Sequence, residues 1–384
     1  MSMNVIDLVA GARPNFMKLA PVVRALRQRS EALTARNLSW RIVHTGQHYD
    51  QGMNDVFFSE LGIPEPDVNL NVGSGSHGAQ TARILERYEA HLLENRLAAT
   101  VVFGDVNSTA ACALAAVKLG IPVVHVEAGL RSFDRNMPEE INRIVTDALS
   151  QVLLVSEPSG VENLKHEGVD ERKIHLVGNV MMDTLVHELP KAKKSDILDR
   201  LDLKPDEAYA LVTLHRPTNV DDPAVLKPLL ECLSRFSKIL PMIFPVHPRT
   251  RKAIDEYGLH SLFETNPRFK CVSPLPYRDN LCLMSRAKGV LTDSGGMQEE
   301  TSFLKVPCLT LRSNTERPIT VEMGTSRLVG NDPDKVRLGL EDVLQGRWPE
   351  GKDIPLWDGK AGERIVEILL SEDWQPATGN RQPN

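Results

Sequence analysis

The sequence predicts an α/β protein made of two Rossmann-like, doubly wound domains. Short apolar runs alternate with amphipathic stretches along most of the 384 residues. Runs that are apolar at successive positions predict strands covered on both faces, as in a parallel sheet with helices on either side. The alternation stops in a stretch rich in Lys, Asp and Pro at residues 188–207 and then starts again. This restart predicts two successive units.

The predicted strands determine where functional residues are expected. In the first unit they cover residues 5–10, 42–44, 100–103, 123–127, 152–155 and 174–177, with helices at 17–29, 81–95, 110–119 and 139–149. In the second unit they cover 208–214, 241–245, 269–272, 289–292 and 308–311. Ligands of such sheets bind beyond the carboxyl ends of the strands, so polar residues at those ends are the candidates for function.

Composition limits the class of partner. The net charge of −6 and an aromatic content of 5% are both unfavourable for binding a nucleic acid. The five cysteines are scattered and form no CxxC pair, which indicates reduced thiols in the cytoplasm and neither a zinc site nor a disulfide framework. No apolar run reaches the ~18 residues of a membrane span. We therefore expect a cytoplasmic protein with no nucleic-acid and no membrane partner.

In the first unit, charged residues follow two of the predicted strands. Arg13 and Lys18 follow the first strand, where Gly11 permits a tight turn and Pro14 favours a helix start. A helix N-terminus with two added cations suits an anion, although an ordinary turn with solvated charges has the same pattern. Asp105 follows the strand at 100–103 and is either a helix cap or a group that faces a substrate.

The segment HVEAGLRSFDRNMPEEINR is the densest group of charges. Glu127 ends the strand at 123–127, and Glu139 and Arg143 are spaced i, i+4 on the helix that follows. Such a pair alone is typical of a surface salt bridge. Beside Asp105 and Glu127, however, it indicates carboxylates gathered for proton transfer. We predict that the apolar residues of this helix face the core, namely Ile141, Ile144, Val145 and Ala148.

In the second unit, the sharpest pattern is LTDSGGMQEE. Ser294, Gly295 and Gly296 follow a strand and begin a helix, so the backbone can approach a diphosphate closely and present free N–H groups to it. Glu300 in that helix can accept from ribose hydroxyls, whereas a plain serine cap is the alternative. His215 at another strand end suits a phosphate oxygen, and Arg317 follows the last strand. There is neither a GxxxxGK[ST] nor a GxGxxG motif.

Together these segments resemble the non-hydrolysing UDP-N-acetylglucosamine 2-epimerases. The resemblance spans residues 5–330 in the family's order and spacing. The segments that carry it are GARPNFMKLAP, TGQHYD, FGDVNSTA, HVEAGLR, MPEEINR, TLHRPTN, PVHPRT, LTDSGGMQEE and NTERP. It implies a glycosyltransferase-B-like fold with two Rossmann-like domains facing a central cleft, a homodimer, and an enzyme that requires neither metal nor nicotinamide. No cofactor is therefore expected.

The resemblance also implies a domain plan. Residues 1–185 would form the N-terminal Rossmann-like domain with the acid–base carboxylates, and residues 186–360 the C-terminal domain that binds UDP. Residues 361–375 would supply a helix that packs back on the first domain. The polar tail at 376–384 is expected to be disordered.

The family interconverts UDP-N-acetylglucosamine and UDP-N-acetylmannosamine through a bound 2-acetamidoglucal and UDP. By this resemblance, the acid–base carboxylates are Asp105, Glu127 and Glu139, without a decision on which is base and which is acid. His215, Arg143 and Lys18 match further catalytic positions. The expected UDP ligands are Arg13, Ser294, Gly295, Gly296, Glu300 and Arg317.

Other activities fit parts of the same pattern. A sister epimerase acting on UDP-2,3-diacetamido-glucuronate would need added donors for its acetamido and carboxylate groups. A hydrolysing epimerase is disfavoured by the intact MPEEINR segment. A glycosyltransferase of the same fold would need an acceptor site, and a sugar-nucleotide sensor would bind UDP without turnover. Three clustered carboxylates fit proton transfer at sugar carbon 2 better than either of the last two.

Overall fold

The computed structural model describes residues 4–47, 58, 60–95, 97–204, 206–264 and 266–374. The segment His48–Asp50 of the TGQHYD motif and the tail at 376–384 lie outside these residues. The chain divides into two compact units. The first comprises the described parts of Met1–Thr184 and Pro355–Asn384, and the second comprises those of Leu185–Ile354.

The first unit is built on a parallel sheet of seven strands in the order β3-β2-β1-β4-β5-β6-β7. The strands are β1 Asn4–Ala10, β2 Leu38–His44, β3 Val68–Asn69, β4 Leu97–Phe103, β5 Val123–Ala128, β6 Val152–Val155 and β7 Ile174–Leu176. The helices are α1 Arg13–Gln28, α2 Ser30–Ala35, α3 His77–Glu94, α4 Asn107–Lys118, α5 Pro138–Leu149 and α6 Pro158–His166.

The central strands are apolar because both faces of the sheet are covered. Every residue of β4 and of β5 is buried. Helix α4 packs close to this sheet because its buried positions after the first turn carry alanine and Cys112 rather than larger side chains. Its close approach places the turn between β4 and α4, which carries Asp105, directly at the edge of the sheet.

The second unit has a parallel six-stranded sheet in the order β10-β9-β8-β11-β12-β13. Its strands are β8 Ala210–Thr213, β9 Met242–Pro245, β10 Phe269–Val272, β11 Gly289–Thr292, β12 Cys308–Thr310 and β13 Ser326–Leu328. Its helices are α8 Ile197–Arg200, α9 Pro217–Val220, α10 Pro223–Phe236, α11 Pro248–Glu256, α12 Ser261–Glu264, α13 Tyr277–Arg286, α14 Gly295–Leu304, α15 Ile319–Glu322 and α16 Pro333–Leu344. Helix α7, Val180–Ala192, contains the boundary between the units.

The last described helix, α17 at Ala361–Ser371, belongs to the first unit. It packs close to α1: a Cβ added at Gly362 would lie only 2.9 Å from the carbonyl oxygen of Pro21, so glycine permits this approach. The carboxylate of Asp183 accepts hydrogen bonds from the backbone N–H groups of Ala361 and Gly362 at 3.1 and 2.7 Å. These bonds satisfy donors that the first turn of a helix otherwise leaves open.

The two Rossmann-like parallel sheets confirm the predicted fold class. The very short strands β3 and β13 were not predicted, since two or three residues carry too little pattern to be recognised. Among the described residues, no helix has the length and apolar character needed to cross a membrane.

Helix α5 is rotated relative to the prediction. Its polar residues Glu140, Arg143 and Asp147 are buried, whereas Ile141 and Val145 are 42% and 38% exposed. The prediction that Ile141, Ile144, Val145 and Ala148 face the core is therefore wrong. The buried charges have partners inside the first unit, and those partners decide which face of the helix turns inward.

Candidate active site

Both sheets place their charged strand ends at the point where the strand order reverses. In each sheet, the first three strands are added towards one edge, and the later strands are added on the opposite side of the first strand. The two strands at the reversal are β1 and β4 in the first unit and β8 and β11 in the second. A crevice opens between the two following loops at such a position, and ligands of open α/β sheets bind there.

In the first unit, Lys18 and Glu127 form a buried ion pair at this position. Lys18 comes from α1, Glu127 comes from β5, and both residues are only 5% exposed. The pair lies over Gly104, at the end of β4. A Cβ there would lie 2.5 Å from Lys18 Nζ and 3.2 Å from Glu127 Oε2. Glycine in the FGD segment therefore leaves the space that the ion pair occupies.

Glu127 adopts a backbone conformation that glutamate rarely takes. Its φ is +75°, and the pairing of β5 with β6 shifts register between Val126 and Ala128. A bulge of this kind turns one side chain away from its usual direction, and a non-glycine residue in the left-handed region costs on the order of 1–3 kcal/mol. The strain at Glu127 directs its carboxylate to Lys18.

Asp105 is held by Arg143 from α5, which donates from Nη1 to the Asp105 carboxylate. Arg143 is 2% exposed and also donates from Nε and Nη2 to Glu140 at 3.0 and 2.6 Å. Asp105 is not a helix cap, since Val106 is the cap residue of α4 and provides no side-chain bond. The structure thus brings Asp105 and Arg143 together, as it does Lys18 and Glu127.

Glu139 does not share the buried face of α5 with Arg143, contrary to the i, i+4 argument. Glu139 is exposed, and its neighbour Glu140 is the buried partner of Arg143. Glu140 also accepts from the backbone N–H groups of Ser132 and Phe133 at 2.9 and 2.8 Å. Burial by itself would raise the pKa of the Glu140 carboxyl, but these bonds and Arg143 outweigh burial and lower it. The sequence pattern did not indicate Glu140 as the partner of Arg143.

Arg13 is the first residue of α1 and has an exposed side chain. The turn before it is fixed by Asn15, which accepts from Gly11 N and Ala12 N at 3.1 Å and donates to Phe103 O at 2.8 Å. These bonds connect the end of β1 to the end of β4. The start of α1 is therefore positioned at the same sheet edge as Lys18.

In the second unit, Asp293 at the end of β11 organises the loop after β8. Its carboxylate accepts from the backbone N–H groups of His215 and Arg216, both at 2.9 Å, and from His215 Nδ1 at 2.8 Å. Asn219 donates to the same carboxylate at 3.1 Å. Burial by itself would raise the pKa of the Asp293 carboxyl, but the contacts of His215 and Arg216 outweigh burial and lower it. The imidazole of His215 is thus held from its Nδ1 side.

The start of α14 forms a glycine-lined cradle next to Asp293. Ser294 is the residue before the helix, and Gly295 and Gly296 form its first turn. A Cβ at Gly295 would lie 2.6 Å from Glu316 Oε1 and 2.9 Å from Arg317 Nη1. Arg317 donates to Glu316 at 2.6 Å. The Ser294 N–H donates to Thr292 Oγ1 at 3.0 Å, so the first-turn N–H groups of Gly295 and Gly296 remain beside the guanidinium. This arrangement suits an anion.

Glu300 lies one turn and a half further along α14 and is 4% exposed. Tyr277 donates its hydroxyl to Glu300 Oε1 at 2.8 Å. Burial raises the pKa of the Glu300 carboxyl to about 7; Glu299 acts in the same direction and Tyr277 against it. Near neutral pH, the Glu300 carboxyl therefore gains or loses its proton, and with it the ability to donate a hydrogen bond.

Within the part of the chain that the structure describes, no group of three His, Cys, Asp or Glu side chains is placed to hold a metal ion. The polar residues that sequence reasoning did not select are Asp147, Asp293, Glu140 and Glu316. Asp293, Glu140 and Glu316 belong to the segments LTDSGGMQEE, MPEEINR and NTERP, and Asp147 follows MPEEINR by four residues. Their role becomes visible only through their partners in the folded chain.

The fold and these two sites define a class of protein, namely an α/β enzyme of the glycosyltransferase-B-like fold class with two Rossmann-like domains. Residues 31–370 match the family model for UDP-N-acetylglucosamine 2-epimerase. The UDP-N-acetylglucosamine 2-epimerase of Methanocaldococcus jannaschii is 44% identical over 95% of this chain and 98% of its own. The chain belongs to the UDP-N-acetylglucosamine 2-epimerase family, whose members are isomerases.

A solved structure and one further relative are informative. The crystal structure of the M. jannaschii enzyme in complex with UDP-GlcNAc and UDP superposes with a TM-score of 0.87 at 43% identity, covering 96% of this chain and 100% of the other. The UDP-2,3-diacetamido-2,3-dideoxy-D-glucuronate 2-epimerase of Pseudomonas aeruginosa is 38% identical over 96% of this chain and 99% of its own.

The strain at Glu127 leads to a prediction about stability. We expect Glu127→Gly to be more stable than Glu127→Ala by about 1 kcal/mol, because only glycine adopts a positive φ without a steric cost. Both variants remove the partner of Lys18 equally. Urea unfolding monitored by circular dichroism measures the difference.

The matched control is Glu86, an exposed residue in the middle of α3. Glu86→Gly should be less stable than Glu86→Ala by about 1 kcal/mol, the usual order in a helix. The same order at both positions would contradict the assignment of backbone strain to Glu127.

Proposed function

We propose that this protein interconverts UDP-N-acetylglucosamine and UDP-N-acetylmannosamine without hydrolysing either. A carboxylate removes the proton at sugar carbon 2 as the bond between carbon 1 and the diphosphate oxygen breaks. The products of this half-reaction are 2-acetamidoglucal and UDP. UDP then adds back to carbon 1, and a proton returns to carbon 2 on the opposite face. The observation that carries the proposal is the pair of cation-bound carboxylates, Glu127 and Asp105, at the ligand-binding edge of the first sheet.

The first unit supplies the proton chemistry in this proposal. Each carboxylate has a cationic partner, Lys18 for Glu127 and Arg143 for Asp105. Glu127 is well buried, whereas the Asp105 side chain is 24% exposed and can exchange its proton with water more readily. Glu139, exposed on α5, is the third proposed acid–base group. Arg143 and Lys18 balance the charges that proton transfer creates.

The second unit supplies the binding of UDP. We assign the diphosphate to the Ser294 hydroxyl and the backbone N–H groups of Gly295 and Gly296, with Arg317 and His215 beside them. Arg13, which begins α1 in the first unit with an exposed side chain, is proposed as a phosphate ligand by the family resemblance. A proton at carbon 2 is only weakly acidic, so its removal depends on stabilising the departing diphosphate. Charged donors fixed before the reaction provide that stabilisation without reorganisation.

The test of the proposed function is incubation with UDP-N-acetylglucosamine in D₂O, without added metal, followed by proton NMR. We expect UDP-N-acetylmannosamine with deuterium at sugar carbon 2. The variant Glu127→Gln should fold and show neither product nor exchange. Release of free N-acetylmannosamine with UDP would assign a hydrolysing enzyme instead. An unchanged spectrum would direct the same test to the diacetamido-glucuronate nucleotide, the substrate class in the name of the P. aeruginosa relative.

The role of Glu300 predicts a pH dependence of binding. If Glu300 accepts from the ribose hydroxyls, only its ionised form is competent. The affinity for UDP-N-acetylglucosamine should then rise about tenfold from pH 6 to pH 8.5, as the carboxyl with a pKa of about 7 loses its proton. Calorimetry with the Glu127→Gln variant measures binding without turnover.

The sugar nucleotide itself does not titrate in this range, because its diphosphate is esterified at both ends. Adding Glu300→Gln to the Glu127→Gln background should therefore remove this rise, whereas His215, the proposed phosphate ligand, is unchanged in both variants. The same pH profile of affinity with and without Glu300→Gln would contradict a ribose-binding carboxylate at Glu300.

We further propose a cytoplasmic homodimer, with the exposed apolar face of α5 as the contact. This face consists of Ile141, Val145 and Ala148 and lies on a helix whose buried side is polar. Light scattering should give a dimer mass for the wild type and a monomer mass for Val145→Glu. Leu338→Glu is the control, because Leu338 is equally apolar and 52% exposed in the second unit. A dimer that survives Val145→Glu would exclude this face.

A further inference from the structure

Asp147 connects both flanks of the strained residue Glu127. Its Oδ1 lies 2.6 Å from His125 Nδ1, two residues before Glu127. Its Oδ2 accepts from the backbone N–H of Gly129 at 3.0 Å, two residues after Glu127. Asp147 and His125 are 2% and 0% exposed. One carboxylate on α5 thus holds the two ends of the bulge in β5.

The same pair reaches the neighbouring strand. His125 Nε2 lies 2.8 Å from the carbonyl oxygen of Gly104. That carbonyl belongs to the peptide bond that joins Gly104 to Asp105. The two ring nitrogens of His125 thus lie within hydrogen-bonding distance of two acceptors, the Asp147 carboxylate and the Gly104 carbonyl. The path Asp147–His125–Gly104 therefore links the bulge that carries Glu127 to the peptide that carries Asp105.

Asp147 is kept charged by its surroundings. Arg131 donates from Nη1 to Asp147 Oδ2 at 2.7 Å and also pairs with Glu167 at 2.7 Å. Burial by itself would raise the pKa of the Asp147 carboxyl, but the attraction of His125 and Arg131 outweighs burial and lowers it. Arg131 is therefore engaged in this network through both Asp147 and Glu167.

A strained conformation persists only where the surrounding contacts determine it fully. Asp147 supplies such contacts on both sides of Glu127, to His125 before it and to Gly129 after it. We propose that Asp147, acting with His125, is a positioning residue that fixes the carboxylates of Glu127 and Asp105 for proton transfer at sugar carbon 2. This inference rests on the proposed function, since it concerns the geometry of the same reaction.

The variant Asp147→Asn tests it. The amide has one acceptor and one donor in place of two acceptors, so it cannot accept from both His125 and Gly129. A displacement of about 1 Å in a reacting group lowers the rate on the order of 100-fold. We expect kcat to fall by about that factor, while KM and the affinity for UDP change less than about threefold.

The chain provides a matched control in Asp7. This aspartate is also fully buried and also contacts an arginine and a histidine, Arg41 at 2.5 Å and His91 at 3.0 Å. It lies in the middle of β1, and none of its contacts involves a proposed site residue. Asp7→Asn should lower thermal stability as Asp147→Asn does, but leave kcat per folded molecule within about twofold.

A second measurement separates positioning from loss of folding. With substrate deuterated at carbon 2, Asp147→Asn should show a kinetic isotope effect on kcat at least as large as that of the wild type, because cleavage of the C–H bond is the step that slows. All assays are made well below the lowest melting temperature. If Asp147→Asn does not fold, His125→Gln takes its place under the same criteria.

The outcomes are distinct. If the wild type does not epimerise the sugar nucleotide, the proposed function fails and this inference fails with it. If the wild type is active but Asp147→Asn loses no more kcat than Asp7→Asn, or its isotope effect shrinks, only the positioning role is overturned. Failure of both Asp147→Asn and His125→Gln to fold would also overturn it, since the pair would then be required for the core itself.

Discussion

The pairing of buried charges is the constraint on which the rest of the structure depends. Glu127, Asp147 and Asp293 lie almost entirely out of water, and each contacts a cation or a set of N–H donors. An unpaired buried charge costs several kcal/mol, so removing one partner of such a pair typically costs about 3–5 kcal/mol. The positions of α1, α5 and the strand ends are therefore fixed together, because each supplies one member of a pair.

The two units use the same strand order for different chemistry. In the first, the crevice at the reversal of strand order contains carboxylates with cationic partners. In the second, it contains a helix N-terminus, a histidine and arginines. The first arrangement suits the movement of protons and the second suits the binding of an anion. The difference lies in the residues that follow each strand and not in the sheets.

Local pattern was sufficient to predict the long strands and the residues that follow them. The segment LVTLH ends at His215 and the segment VVFGD at Asp105, and both residues lie at the expected sheet edge. Contacts between distant segments were not predictable. The rotation of α5 depends on Asp105, 38 residues before Arg143, and on His125, 22 residues before Asp147. The apolar stripe of Ile141 and Val145 therefore suggested the wrong inner face.

The position of α17 has a consequence for biosynthesis. The second unit is continuous in sequence, whereas the first needs a helix that is translated after the second unit. Ile365, Val366 and Leu369 of that helix are fully buried in the first unit. During synthesis, the apolar surface of α1 that receives them stays uncovered until the second unit and α17 have been translated. The nascent chain thus exposes this apolar surface while the whole second unit is made.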